Sequence, residues 1–250
     1  MNAALAAIAF GPGLAVGSFL NVVAARLPLR RSVIHPRSAC MTCGNVLAWH
    51  DNVPLVSYAL LRGRCRSCGV RISLLYPAVE LATALLVAGC FVRFGFSGRA
   101  LVGAFFCIVL VAVSSIDLTH RIIPNRIVVP ATVVVLVAQT ALHPSREWAL
   151  ASFGAALFLF VAALAYPAGM GMGDVKLALF MGAALGRTVP VAMMAGMLAA
   201  LVPSLYLLAR HGSAARKMAI PFGPFLALGS VIALFAGGSL LHAYWQFFAH

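Results

Sequence analysis

The chain has 250 residues, 63% of them hydrophobic and 9% charged, with a mean hydropathy of +1.02 and a formal net charge of +13. A soluble domain carries roughly 25% charged and 45–50% apolar residues, so a water-soluble globular fold is excluded and a polytopic membrane protein is expected. Only five residues are acidic, and an ion at mid-bilayer costs on the order of 2.5–3.5 kcal/mol, so each carboxylate beside an apolar run needs a reason.

Runs of about 20 apolar residues mark membrane spans. Eight are read, over 3–25, 76–97, 100–118, 126–142, 149–168, 174–188, 189–209 and 222–246. The fold class expected is an all-α membrane protein of about eight transmembrane helices with a small cytoplasmic zinc-binding loop domain. Its parts are a first transmembrane helix (1–25), a cytoplasmic four-Cys loop domain (26–75) and a membrane catalytic domain (76–250). The opening run lacks a basic n-region and an Ala-x-Ala-like site, so it reads as a span and not as a cleaved signal peptide. Between 174 and 209 only Gly186-Arg-Thr-Val-Pro190 interrupts the apolar pattern, which implies two helices joined by a tight turn.

Charge sets the orientation. If 26–75 is cytoplasmic and the chain alternates thereafter, only Arg93, Arg99, Arg146 and Arg187 of the 18 Lys and Arg fall outside. That asymmetry is the positive-inside pattern. It puts both termini outside, the basic loop inside, and Asp117 and Asp174 at one cytoplasmic face. The positive charge reads as topology and contact with anionic lipid headgroups, in preference to nucleic-acid binding.

The polar interval 26–75 holds Cys40-Met-Thr-Cys43 and Cys65-Arg-Ser-Cys68, each followed by glycine, Gly44 and Gly69. Four thiolates at such spacing suit a closed tetrahedral zinc site that holds structure and keeps no open position for catalysis. A loop of roughly fifty residues has too little core to fold alone, so a metal would supply what burial does not. Two disulfides, disfavoured in a reducing cytoplasm, and a dithiol redox centre are the competing readings. Cys90 and Cys107 fall in apolar runs and read as small hydrophobes.

Asp117 closes the run Leu101 to Ile116, and Pro124-Asn125 then breaks the helix. Asp174 follows the alternating glycines Gly169, Gly171 and Gly173. Such a segment offers open backbone edges to an extended substrate. Two carboxylates that share one proton can activate a water, the chemistry of aspartic proteases. Taken singly, Asp174 is well placed as a helix N-cap and Asp117 as the partner of Arg121 four residues on. Glu80 is a third acid beside a span and reads either as a site residue or as a partner of Arg71. Lys176 either tunes the carboxylate pair or snorkels to the headgroups.

These stretches carry a resemblance. Gly17-Ser-Phe-Leu-Asn21-Val-Val-Ala-Ala-Arg26-Leu-Pro28, the two Cys pairs with Asp51-Asn-Val-Pro54 and Arg62-Gly-Arg-Cys65, Tyr76-Pro-Ala-Val-Glu80-Leu, Asp117 with Ile123-Pro-Asn125, Gly171-Met-Gly-Asp174-Val-Lys176, and Ile220-Pro-Phe-Gly-Pro-Phe225 occur in that order. Together they resemble the bacterial type IV prepilin peptidases, also called leader peptidase/N-methyltransferases, of the Gly-x-Gly-Asp membrane aspartyl protease group. His50 stands where that family often has an aromatic, and Asn125 where it often has Asp. The resemblance implies cleavage of prepilin or pseudopilin leaders for a type IV pilus or type II secretion system, with Asp117 and Asp174 as the catalytic pair. It implies structural zinc on Cys40, Cys43, Cys65 and Cys68, a location in the bacterial inner membrane, and N-methylation of the new terminus with S-adenosylmethionine, in which Glu80 would position the amine or cofactor. No Gly-x-Gly-x-x-Gly nucleotide loop accompanies it. A proton-coupled transporter with a structural zinc loop is the rival from another class, and would favour an internal repeat, which the halves lack. A zinc-loop scaffold with a mere membrane anchor leaves the two aspartates unexplained.

Overall fold

The computed structural model describes residues 2–165, 171–212 and 220–248. Gly169 of the glycine run, the end of the expected span 149–168, and Arg216 and Lys217 lie outside the described residues. The described elements are all helical: α1 (Asn2–Arg26), α2 (Val56–Leu60), α3 (Leu75–Phe94), α4 (Gly98–His120), α5 (Asn125–Leu142), α6 (Glu147–Ala165), α7 (Met172–Leu185), α8 (Val189–His211) and α9 (Gly223–Phe248). Among the described residues, seven stretches are long and apolar enough to span a membrane; one of them, Met172–His211, contains both α7 and α8. The eight expected segments are therefore each helical, and the turn expected at Gly186 is there, with φ +54°. The chain is a multi-pass membrane protein with two compact units, Met1–Ile116 and Asp117–His250.

In the first unit α1 packs on α3 through small residues. A Cβ on Gly17 would stand 2.6 Å from the Cα of Glu80, and one on Gly13 would stand 2.8 Å from the Cα of Ala84. One layer further along, Asn21 Nδ2 donates to the Tyr76 carbonyl at 3.1 Å. Each step of four along α1 is a step of four in the opposite sense along α3, so the pair is antiparallel. Gly13 and Gly17 form the small-xxx-small pattern that lets membrane helices approach closely, where dispersion and not water expulsion drives association.

In the second unit α7 is the central helix, packed by α5, α6 and α9. Leu177, Ala178, Phe180, Met181 and Ala183 are wholly buried, as expected of a helix apolar all round. With 14 residues it is about 21 Å long at 1.5 Å per residue, shorter than the ~30 Å hydrocarbon core. Polar ties fix it: Gln139 Nε2 donates to the Ala184 carbonyl at 2.9 Å and Ser152 Oγ to the Leu179 carbonyl at 2.6 Å. Gly182 lies against the Ala151 backbone. At its far end Glu147 accepts both the backbone N–H and the Nε of Arg187, each at 2.9 Å.

The α1–α3 contact makes an expectation. Gly17→Ala should destabilise the first unit by about 1–3 kcal/mol, because the added methyl meets backbone and has nowhere to go. Gly11→Ala, with nothing within 4 Å of the new Cβ, should be neutral or slightly stabilising. Thermal unfolding of the two variants in one detergent compares them, and equal midpoints would mean the close approach contributes nothing.

Candidate active site and metal centre

Asp117 lies in the last turn of α4 and is 6% exposed. The chain leaves that helix at Arg121, which has φ +54° and donates its N–H to the Asp117 carbonyl at 2.9 Å. Pro124 then caps α5, its carbonyl accepting from the N–H groups of Ile127 and Val128. The Asp117 side chain is held from a third element. Gly223, first residue of α9, donates its backbone N–H to Oδ2 at 3.0 Å. A Cβ on Gly223 would stand 2.9 Å from that oxygen, so only glycine allows the approach without displacing the carboxylate. Oδ1 has no partner among the described residues, and no buried side-chain oxygen is left unpaired. Oδ1 is therefore open to an incoming molecule. No ion pair joins Asp117 to Arg121 among the described residues, whose ion pairs are His50–Asp51, Arg66–Asp51 and Arg187–Glu147.

Asp174 is the third residue of α7 and not its cap, which is Gly171. A carboxylate in the first turn is favoured by the helix dipole, and the Asp174 N–H bonds the Gly171 carbonyl at 3.1 Å. Two contacts stitch this turn to the segment that follows Asp117. Gly173, lacking a side chain, lets Ile123 close in, so that a Cβ there would stand 2.9 Å from the Ile123 Cβ. Lys176 Nζ donates to Asn125 Oδ1 at 2.9 Å. The carboxylates are near enough for the charge on Asp117 to act on Asp174. His120 Nδ1 and the Thr119 hydroxyl are hydrogen-bonded at 2.7 Å.

The four loop cysteines converge, their sulfurs all within 4.8 Å of one another. Two turns of the same construction present them. Cys40 N–H bonds Asn45 O and Gly44 N–H bonds Cys40 O; Cys65 N–H bonds Val70 O and Gly69 N–H bonds Cys65 O, all at 2.9 Å. Gly44 and Gly69 both take φ +70°, which glycine adopts without steric cost. Cys40 Sγ and Cys68 Sγ are 3.8 Å apart. A tetrahedron with metal–sulfur bonds of about 2.3 Å has edges of about 3.8 Å, so the donor set fits one tetrahedral ion. Amide N–H groups of Cys43 and Thr42 draw the Cys40 thiol down to about 6. For Cys68 the Val70 N–H acts to lower it, but enclosure and the neighbouring thiols prevail and raise it to about 11. Beside them Arg66 bonds Asp51 at 2.9 Å through Nε and holds that carboxyl below the usual range.

Glu80 is 8% exposed on α3. Its Oε2 accepts the backbone N–H of Leu55 at 2.8 Å, at the entry to α2, and it makes no ion pair with Arg71 among the described residues. The sequence analysis placed Ile123 and Asn125 in the stretch after Asp117 and Gly223 in the run Ile220 to Phe225, but it did not foresee their contacts around the aspartates.

The chain is similar to known proteins along most of its length. Residues 12–94 match the family model described as the bacterial peptidase A24 N-terminal domain, and residues 104–207 the one described as the type IV leader peptidase family. A Bacillus subtilis (strain 168) protein named prepilin leader peptidase/N-methyltransferase is 37% identical over 237 residues, 93% of this chain and 94% of the relative. A protein of the same name from Pseudomonas aeruginosa is 36% identical over 270 residues, 94% and 91% of the two chains. One from Myxococcus xanthus (strain DK1622) is 52% identical over 118 residues, 47% of this chain and 35% of the relative. No solved structure matches. With both parts of the chain matched and the Bacillus and Pseudomonas relatives similar along nearly their whole length, the chain belongs to the type IV leader peptidase family.

Proposed function

We propose that this protein cleaves the leader peptides of type IV prepilins or pseudopilins with Asp117 and Asp174 as an aspartate pair, and methylates the new N-terminus. The observation that carries the first part is the Asp117 carboxylate fixed by Gly223 N–H through one oxygen, with the other open and Asp174 nearby. The substrate's basic leader stays in the cytoplasm and its apolar helix in the inner membrane, so that the scissile bond meets the pair at the cytoplasmic interface, with both termini of the enzyme outside. The ionised member of the pair takes a proton from water as the water oxygen adds to the scissile carbonyl carbon. The protonated member gives its proton to the carbonyl oxygen. In the collapse of the adduct the C–N bond breaks as the now ionised member takes a proton from one hydroxyl and the other member gives its proton to the departing nitrogen. The carboxylates titrate as a unit, and no covalent intermediate is formed.

Cys40, Cys43, Cys65 and Cys68 are proposed to hold structural zinc, which orders the loop module 26–75 and takes no part in cleavage. Methylation draws its methyl group from S-adenosylmethionine, and Glu80 is assigned to that half of the chemistry. Membrane lipids are the other partner, through the basic cytoplasmic face. Nucleic acid is not a partner in this reading.

Three expectations follow from these assignments. Asp117→Asn and Asp174→Asn should each cut leader release by on the order of a thousandfold or more while still methylating a pre-cleaved pilin peptide, which needs no activated water. Mass analysis of both products decides it, and near-normal cleavage by either variant would remove the pair from the mechanism. Gly223→Ala should lower kcat for leader cleavage by driving the Asp117 carboxylate off its position, with insertion and metal content unchanged; wild-type kcat would show the amide contact to be dispensable. Elemental analysis of reduced protein should find about one zinc per chain, lost when any of the four cysteines becomes Ser. Metal-free wild-type protein would reject the zinc assignment.

A further inference from the structure

We propose that the cleft between α6 and α8 docks the apolar membrane helix of the prepilin substrate, alongside the α7 helix that carries Asp174. The inference rests on the cleavage reading above and names where the membrane part of that substrate binds. The cleft has a volume of about 830 Å³ and lies wholly within the second unit. Its lining is apolar except at one end, where Glu147 and Arg187 pair with each other.

Exposed apolar side chains are ordinary on a membrane protein, so the shape of this surface matters more than its polarity. Leu150, Gly154 and Phe158 stand four residues apart on α6 and are all exposed. Pro190, Met194 and Leu198 repeat that spacing on α8 and are exposed as well. Residues four apart form a ridge along a helix, and another helix packs by laying its own ridge into the groove beside it. Between the two rows the floor is closed by the buried Ala155, Val189 and Met193. The α6 row is broken at Gly154, where an added Cβ would meet nothing within 4 Å. Such a gap lets a neighbouring membrane helix come close. Three methionines, Met193, Met194 and Met197, line the α8 side. Their unbranched side chains repack against different surfaces, which suits apolar helices of differing sequence.

The position of the cleft ties it to the aspartate pair. Glu147 lies against Gly186, and Ala151 against Gly182. A step of four along α6 is thus a step of four backwards along α7, and the same antiparallel register sets Phe158 level with Val175, the neighbour of Asp174. The lining on α6 extends from Glu147 to Phe158, about 16 Å at 1.5 Å per residue. The groove therefore runs from the Glu147–Arg187 pair to the level of Asp174. An apolar helix lying in it has one end beside the aspartate and extends from there across the membrane. That is the order of the substrate, in which the scissile bond comes first and the apolar helix follows. A lipid chain would cover the same walls but has no need of this alignment.

The test uses the full chain in detergent and two substrates: a full-length prepilin, and a leader peptide that ends shortly after the scissile bond and so lacks the apolar helix. Gly154→Trp and Leu198→Trp fill the groove from its two walls, each at an exposed position. Each should raise KM for the full-length prepilin about tenfold, the size of a clash in a packed contact. Cleavage of the short peptide, which does not reach the groove, should match the wild type. A wild-type KM for full-length prepilin in both variants would overturn the docking site and leave the cleavage reading intact. Loss of co-purified phospholipid from those variants, read by mass analysis, would then assign the groove to lipid. Equal losses on both substrates would mean that the substitutions disturb the unit as a whole, and would also overturn the proposal. If the wild-type chain cleaves neither substrate, the cleavage reading falls and the docking site falls with it.

Discussion

The hydrogen bond from Gly223 N–H to Asp117 Oδ2 is the contact on which the proposed active site depends. An ionisable carboxylate at the end of a membrane helix is costly unless something fixes and partly solvates it. Here a backbone amide does so from the start of α9, more than a hundred residues away in sequence. A backbone donor cannot change rotamer, so it fixes one oxygen while leaving the other free. The lack of a side chain on Gly223 is what permits the approach, and the flanking Pro221 and Pro224 stiffen the chain there.

The remaining geometry serves to bring Asp174 to that fixed point. α7 is short, buried and tied by Gln139 and Ser152, and its far end is held by Glu147 and Arg187. The turn bearing Asp174 is stitched to the segment after Asp117 by the Gly173–Ile123 and Lys176–Asn125 contacts. Rigid placement of both groups matters because a pair that shares a proton works only when neither carboxylate drifts into solvent. The other unit follows a different logic. Glycines spaced by four bring α1 against α3, and Glu80 emerges from that contact beneath a cysteine loop whose own core is small. In the proposed assignment, cleavage and methylation fall to residues of different units.

Helices were legible in the sequence because hydropathy over about twenty residues is a strong signal, and so were the aspartates, since carboxylates in such a chain are few. The cysteine cluster was legible because two equally spaced pairs leave few other arrangements. The positions of Gly223 and Leu55 as donors were not, because every non-proline residue carries an N–H and residue type says nothing about which one meets a carboxylate. Nor was the fate of the local alternatives. Asp174 occupies the third helical position and not the cap, and Arg121 turns out of the helix with positive φ instead of pairing with Asp117. Both outcomes are set by where the helices end, to within one or two residues, which sequence patterns define poorly.

The account's central claim is that Asp117 and Asp174 act as one unit holding a single proton. The dependence of kcat/KM on pH for leader cleavage tests it most directly, because the working state has one carboxyl protonated and one ionised. The account predicts a bell-shaped profile, with two apparent ionisations belonging to the pair. A rate that rises through one ionisation to a plateau would show a single carboxylate working alone and contradict it.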